Sequence, residues 1–347
     1  MQKLKIAVVG LGRIGWGFHL PKITAHSDQF DLVGVVDLSE ERLAEAKEKY
    51  GVRGYKDIAS VVAAEHPDVI TICSPTHLHP AHACEAMSLG CDVFLDKPMA
   101  VDYASAKQIA DFAKESGRKL MVFQPCRAFA EPNQLMDIMA SGKIGKVYAI
   151  QRGRCGYARR NDWQSLTKFG GGMLNNYGAH HIDELLYMTK EKVRRLNCIK
   201  YRIASAGDAD DTVKITFETE NNMLLDISIY QAAAIPTPTW LVLGQYGAVS
   251  YEIGADKKPV FRIRSYDPTA VPDITASDEL AAANRSYNND VPLPFVEEIV
   301  PVDASYAIDF YQKAYEYFAE DKAPFVPIEE TLTVMDLIGK CHKDAEK

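Results

Sequence analysis

What this sequence lacks narrows its class first. No window approaches the roughly 18 uninterrupted apolar residues of a membrane span. The apolar run in MQKLKIAVVGLGRIG is cut by Gly10, Gly12 and Arg13 before a secretory core could form. Basic residues are not in excess, since 39 Lys and Arg stand against 47 Asp and Glu for a formal charge of −8. That balance gives no electrostatic footprint for nucleic acid or anionic lipid. The seven cysteines, Cys73, Cys84, Cys91, Cys126, Cys155, Cys198 and Cys341, are scattered, with no C-x-x-C pair and no zinc-like spacing. No metal centre is expected from them, and unpatterned thiols suit a reducing cytoplasm. Repeats and low-complexity tracts are also missing. The expectation is a soluble cytoplasmic protein whose partners are a small molecule and further copies of itself.

What is present suits about two domains, with 347 residues of which 47% are hydrophobic. The first third alternates short apolar runs with amphipathic segments, the pattern of βαβ units on a parallel sheet. Strands are expected at Lys5 to Val9, Leu32 to Val36, Val69 to Cys73, Asp92 to Leu95 and Leu120 to Phe123. A helix is expected between Ser39, which can cap it, and Gly51, which ends it, with Glu40 and Glu41 in its first turn and Lys47 and Lys49 in its last.

Beyond about residue 125 the period changes. Val213, Ile215 and Phe217 alternate with polar residues, a turn follows at Glu220 to Asn222, and Leu225, Ile227 and Ile229 resume the alternation. This predicts an antiparallel hairpin with one buried face. Further strand-like segments near 146–152, 194–202, 239–243 and 258–264 enlarge it to a substantial, mostly antiparallel open sheet. Residues 266–296 read as irregular, and helices are expected near 304–319 and 328–342. The fold class is thus α/β for residues 1–124 and α+β for 125–347, with the final helix returning toward the first domain. The uncovered sheet face invites a second subunit.

Gly10-Leu11-Gly12-Arg13-Ile14-Gly15 is G-x-G-x-x-G between a predicted strand and a predicted helix. In that context it reads as a dinucleotide site: Gly10 for the tight turn, Gly12 for close approach of the pyrophosphate, Gly15 for helix packing. Asp37 follows Gly15 by 22 residues at the end of the second strand, where a carboxylate receives the ribose hydroxyls and repels a 2′-phosphate. NAD is favoured over NADP, with Arg42 one turn away as the softening influence.

Two later features carry ionisable chemistry. Lys97 sits just past a strand end, in the crevice where open α/β sheets bind ligands, and Pro98 fixes the backbone beside it. In KFGGGMLNNYGAHHIDELL, residues 168–186, Asn176, His180 and Asp183 share one helix face opposite Ile182, Leu185 and Leu186. Any surface helix carries such a polar stripe. Against that reading, the run Gly170 to Gly172 suggests backbone brought close to a ligand, and histidine is the side chain suited to proton exchange near neutrality. His181 points about 100° away from His180 and reads either as packing or as support behind the residues that meet a ligand.

Taken together, these segments resemble the glucose-fructose oxidoreductase, inositol dehydrogenase and rhizopine catabolism (Gfo/Idh/MocA) family over essentially the whole chain. The family's T-P-x-x-x-H-like segment, which lines the cofactor, is matched by Ser74, Pro75 and His79. Its E-K-P segment, with a lysine at the nicotinamide, is matched by Asp96, Lys97 and Pro98. Its D-x-G-x-H-x-x-D segment, with the catalytic histidine, is matched by Asn176, Gly178, His180 and Asp183, an asparagine standing for the first aspartate.

The resemblance implies a cofactor set of Gly10, Gly12, Arg13, Ile14, Gly15, Asp37, Ser74, Pro75, His79, Asp96, Lys97 and Gln124. It implies reversible hydride transfer between nicotinamide and a secondary alcohol of a sugar, polyol or sugar derivative, by a homodimer or homotetramer. His180 is the expected proton acceptor, Lys97 the cation at the reacting oxygen, and Asn176 either tunes His180 or contacts substrate. Arg127, Asp162 and Trp163, with Asp183, are expected at the substrate. Arg159 and Arg160 would suit an acidic substituent. Two other readings keep the fold: an NAD-dependent glycosidase working by oxidation and elimination without net redox, and a non-catalytic NAD-responsive binding protein.

Overall fold

The computed structural model describes residues 3–274 and 292–347. The βαβ alternation produces β1 (Leu4–Val9), α1 (Leu20–Ala25), β2 (Phe30–Val36), α2 (Glu40–Tyr50), β3 (Gly54–Tyr55), α3 (Ile58–Glu65) and β4 (Val69–Ile72). It continues through α4 (His79–Ser88), β5 (Asp92–Asp96), α5 (Tyr103–Ser116) and β6 (Leu120–Phe123). The six strands are parallel in the order β3-β2-β1-β4-β5-β6. The order reverses between β1 and β4, and ligands of such sheets bind at the carboxyl ends of the strands there. Both ends of α2 follow the sequence: the Ser39 hydroxyl accepts from the Arg42 amide, and Gly51 closes it at φ 68°.

The remaining chain gives α6 (Ala130–Ala140), β7 (Val147–Cys155), α7 (Ala179–Thr189), β8 (Val193–Tyr201), β9 (Thr212–Thr219), β10 (Leu224–Tyr230) and β11 (Trp240–Gly244). It ends with β12 (Gly247–Ile253), β13 (Pro259–Ser265), β14 (Val296–Pro301), α8 (Phe310–Glu320) and α9 (Ile328–Asp344). Its eight strands run β14-β13-β12-β11-β7-β10-β9-β8, antiparallel except between β7 and β10. Alternation decides the faces: Val213, Ile215, Phe217, Leu225, Ile227 and Ile229 are buried beneath α7 and α9, while among the described residues no helix packs on the opposite face.

The sequence returns only the last helix to the first sheet. In the structure two do so. Phe310, Tyr311, Tyr315 and Phe318 of α8 pack with Ile6, Val8, Phe94 and Phe123, and α9 touches α5 and β6. The helix expected over 304–319 begins only at Phe310, because Asp309 caps it by accepting from the amides of Tyr311 and Gln312; residues 304–306 form a separate 3-10 turn. Of the irregular stretch, 275–291 lie outside the described residues.

Candidate active site

The glycine turn sits at the sheet's switch point. Gly10 has φ 94°, and a Cβ there would lie 2.8 Å from the backbone of Cys73 at the end of β4, so only glycine lets the two loops meet. Gly12 is different: a Cβ there would meet nothing within 4 Å, leaving open space above the turn for a bound group. Asp37 holds the turn through Oδ2, which accepts from the Leu11 amide at 2.8 Å, and Oδ1, which accepts from the Ser39 amide at 2.9 Å. Arg42 lies 3.4 Å from the same carboxylate. Arg13 and Ile14 are exposed at the turn, and Arg13 reaches Asp162 at 3.6 Å.

The other cofactor candidates divide into lining and bracing groups. Ser74 and Pro75 follow β4, and the Ser74 hydroxyl pairs with His82 Nδ1 at 2.9 Å. His79 is buried, with Nε2 2.8 Å from the Ser74 carbonyl and Nδ1 3.0 Å from that of Pro98. Burial lowers its pKa to about 4. A neutral imidazole has one N–H and donates to one of these two carbonyls at a time, but both ring nitrogens face protein between the Ser74 and Lys97 loops, so none is directed at a cofactor. Gln124, at the end of β6, is buried with an unpartnered Oε1, an acceptor available to a bound group. Together the cleared space over Gly12, the Asp37 carboxylate and the free Gln124 oxygen fit a dinucleotide.

Lys97 follows β5, and the Lys97–Pro98 peptide is cis. Its ammonium donates to Asn176 Oδ1 at 2.8 Å and to the Asn176 carbonyl at 3.1 Å. Burial lowers its pKa, and the charge of the neighbouring Asp96 works in the other direction. Burial in turn raises Asp96 to about 6, against the pull of Lys97. Asn176 therefore serves Lys97. The orienting bond to the His180 ring that the sequence allowed is not made.

Asn176 lies on a π-helical turn, Leu174–Gly178, that feeds α7. Such turns are uncommon and concentrate at functional sites. The expected polar stripe is also not a surface stripe, for His180, His181, Asp183 and Glu184 are buried together with Ile182 and Leu185. His180 Nδ1 is sealed in the interior without a hydrogen-bond partner. Burial first, then the positive charge of Lys97, holds the ring well below its usual pKa, so it is a neutral acceptor at pH 7. His181 stacks on Tyr177 with ring centroids 6.1 Å apart and faces Glu184 at 3.4 Å, in keeping with a packing role.

The glycine run approaches protein, not open space. A Cβ on Gly171 would lie 2.5 Å from the Gln164 carbonyl, and one on Gly172, at φ 107°, 2.5 Å from Asp210. Its purpose is to fold the 160s loop back beneath the turn that carries Asn176.

The expected substrate residues are mostly occupied elsewhere. Arg127 and Asp183 form a buried bidentate pair, Nη2 to Oδ1 at 2.5 Å and Nε to Oδ2 at 2.7 Å, extended by Glu330 of α9 at 2.5 Å. Neither is presented to a ligand. Asp162 is held by Arg160 at 2.7 Å as well as by Arg13, while Trp163 and Arg159 are exposed. Sequence reasoning missed Arg152, Arg154, Tyr177 and Glu184. Arg152 pairs with Glu184 at 2.7 Å, and Arg154 lies 4.1 Å over the Tyr177 ring. Strand alternation through β7 put both arginines on the face of Ile150, and that was the available signal. Among the described residues no group of His, Cys, Asp and Glu could hold a metal ion, and no helix is long and apolar enough to cross a membrane.

Two family models match the chain: the oxidoreductase family with NAD-binding Rossmann fold over residues 4–124, and the GFO/IDH/MocA C-terminal domain over 133–250. D-glucoside 3-dehydrogenase of Escherichia coli is 29% identical over 189 residues, 53% of this chain and 54% of that protein, so the match spans about half its length. An inositol 2-dehydrogenase of Klebsiella pneumoniae is 24% identical over 288 residues, 77% of this chain and 83% of its own. Among solved structures, an NAD-binding protein from Listeria innocua superposes with TM-score 0.81 at 24% identity, covering 99% of this chain and 95% of its own. The WlbA dehydrogenase of Bordetella pertussis, solved with NADH and UDP-GlcNAcA, does so with TM-score 0.76 at 21% identity, covering 99% and 97%. At these identities the structures speak for the fold.

Proposed function

Since the chain belongs to the GFO/IDH/MocA oxidoreductase family, we propose that it is an NAD-dependent dehydrogenase acting on a secondary alcohol of a sugar, polyol or sugar derivative. The observation that carries this reading is the convergence of two loops: Lys97, past β5, is tied to Asn176, one turn before the neutral His180.

Gly10, Gly12, Gly15 and Asp37 would hold NAD, with Arg13, Ser74, Pro75 and Gln124 around it. Bound there, NAD supplies the hydride acceptor. Asp37 favours it over NADP, because the carboxylate repels a 2′-phosphate and keeps the nearby Arg42 engaged. His180 has Nδ1 sealed, so Nε2 takes the proton of the substrate hydroxyl. The Lys97 ammonium has its direction fixed by Asn176 and uses a remaining N–H to stabilise the oxygen as negative charge develops. Asp162, 3.6 Å from Arg13, borders the cleft on that side, and the exposed Trp163 follows it in the chain.

The uncovered face of the eight-stranded sheet, with Ile199, Tyr201 and Ile299 exposed on it, is the surface through which we place a homodimer or homotetramer. Free thiols at all seven cysteines suit a cytoplasmic setting.

The test is NADH formation by purified protein across inositols, aldoses, glycosides and sugar acids. NADH produced in proportion to one of them supports the reading. Release of an aglycone without net NADH would replace it with oxidation-elimination chemistry, and NAD binding with no turnover would replace it with a binding role.

A further inference from the structure

The cations around His180 are not equally occupied. Arg152 is neutralised by a carboxylate: Nε donates to Glu184 at 2.7 Å, Nη1 donates to the carbonyls of Gly153 and Thr239, and the guanidinium lies 4.4 Å over Trp240. Arg160 is taken by Asp162 and Gln164, and Lys97 by Asn176. Arg154 stands apart. It is exposed, it donates only from Nη2 to the Tyr177 hydroxyl at 2.7 Å, and no carboxylate of the described residues lies within ion-pair distance.

Its position is fixed despite that exposure. The guanidinium rests 4.1 Å from the centre of the Tyr177 ring, and that ring is 6.2 Å from His180. One aromatic ring therefore separates an uncommitted guanidinium from the proposed proton acceptor. Among the described residues Nε, Nη1 and the second Nη2 hydrogen are without a partner, so one edge of the guanidinium, Nη2 with either Nε or Nη1, still presents two parallel N–H donors, which match the two oxygens of an oxyanion better than any arrangement of sugar hydroxyls.

We propose that Arg154 is the specificity determinant of this site, and that the substrate is a sugar derivative carrying an oxyanion, carboxylate or phosphate, bound by Arg154 while its reacting hydroxyl lies at His180. The proposal rests on the dehydrogenase reading for the second contact only. It also has a consequence for the chemistry. Burial and the charges of Lys97, Arg152 and Arg154 all depress His180 as a proton acceptor. An anion seated on Arg154 offsets part of that field, so the acidic substrate strengthens the base it needs and a neutral sugar does not.

The experiment is calorimetric titration of the NADH-loaded protein with an aldose, the uronate of the same sugar and its phosphate ester, on wild type, Arg154→Met and Arg154→Lys. Wild type is expected to bind one of the two anionic sugars at least about tenfold more tightly than the neutral parent, as charge-assisted hydrogen bonds allow. Which one it prefers separates carboxylate from phosphate. Arg154→Met should abolish the preference, and Arg154→Lys should retain part of it, which carries the comparison if the methionine variant does not fold. Equal binding of neutral and anionic sugars, a preference untouched by either variant, or no binding of any of the three overturns the proposal. Arg154-dependent anion binding with no NADH formed from NAD would uphold it and count against the dehydrogenase reading instead.

Discussion

Asn176 stands where the family resemblance places an aspartate, and its amide oxygen is 2.8 Å from the Lys97 ammonium. A carboxylate there would pair with Lys97 as a charge. The amide only directs it. Burial already lowers the Lys97 pKa, so the amide leaves that depression largely in place. Asn176→Asp adds an opposite charge, which favours protonated Lys97 and raises its pKa. Because the cationic form is the active one in this account, the basic limb of the pH–rate profile should move to higher pH by about one unit or more. An unmoved limb means that Lys97 does not act as a cation at the reacting oxygen. Helical spacing singled out Asn176 and His180 in the sequence, the place past a strand end singled out Lys97, and the family resemblance supplied the roles expected of them. None of these could tell which of Lys97 and His180 the asparagine serves, because that depends on how the β5 loop and the π-helical turn meet in space. Arg154 stayed hidden because a charged residue near a strand end looks like any solvated one until its ring partner, Tyr177, is seen.

At the scale of elements, α7 departs most from its sequence. The sequence sets Asn176, His180 and Asp183 on one polar face and takes that face toward a ligand, yet Asp183 and the neighbouring Glu184 are buried, each neutralised by an arginine from another element: Arg127 after β6 and Arg152 of β7. Periodicity identifies the helix but cannot report that a charge on its polar face has a buried partner, so the substrate role that the family resemblance implies for Asp183 meets an internal ion pair with Arg127 instead. The structure makes Asp183 a tie between the end of the first sheet, α7 and, through Glu330, α9. Asp183→Asn leaves the buried Arg127 without its bidentate partner and should lower unfolding stability by about 3–5 kcal/mol. Urea titration of the variant measures this. A loss under about 1 kcal/mol together with weakened substrate binding would restore the ligand role.

For the whole molecule, the parallel sheet and the β9–β10 hairpin were readable because β-branched runs and strict alternation dictate which side is buried. The eight-strand order was not, since β7 pairs in parallel with β10 across a long excursion that no local pattern records. Nor was the return of α8, whose aromatic residues cover the first sheet from far along the chain. The helix-free sheet face should hold two or more copies together. Light scattering is expected to give a mass at least twice the 38.5 kDa of one chain, and Tyr201→Arg should reduce it; a monomer at all concentrations contradicts this. These layers create a crevice in which Lys97 and His180 are proposed to meet the cofactor. The most direct measurement is NADH formation from NAD and a responsive sugar or polyol, compared between wild type and Lys97→Met at matched NAD occupancy. The account predicts turnover by wild type and a loss of about 100-fold or more in kcat for the variant, with NAD still bound. Full activity in Lys97→Met would contradict it.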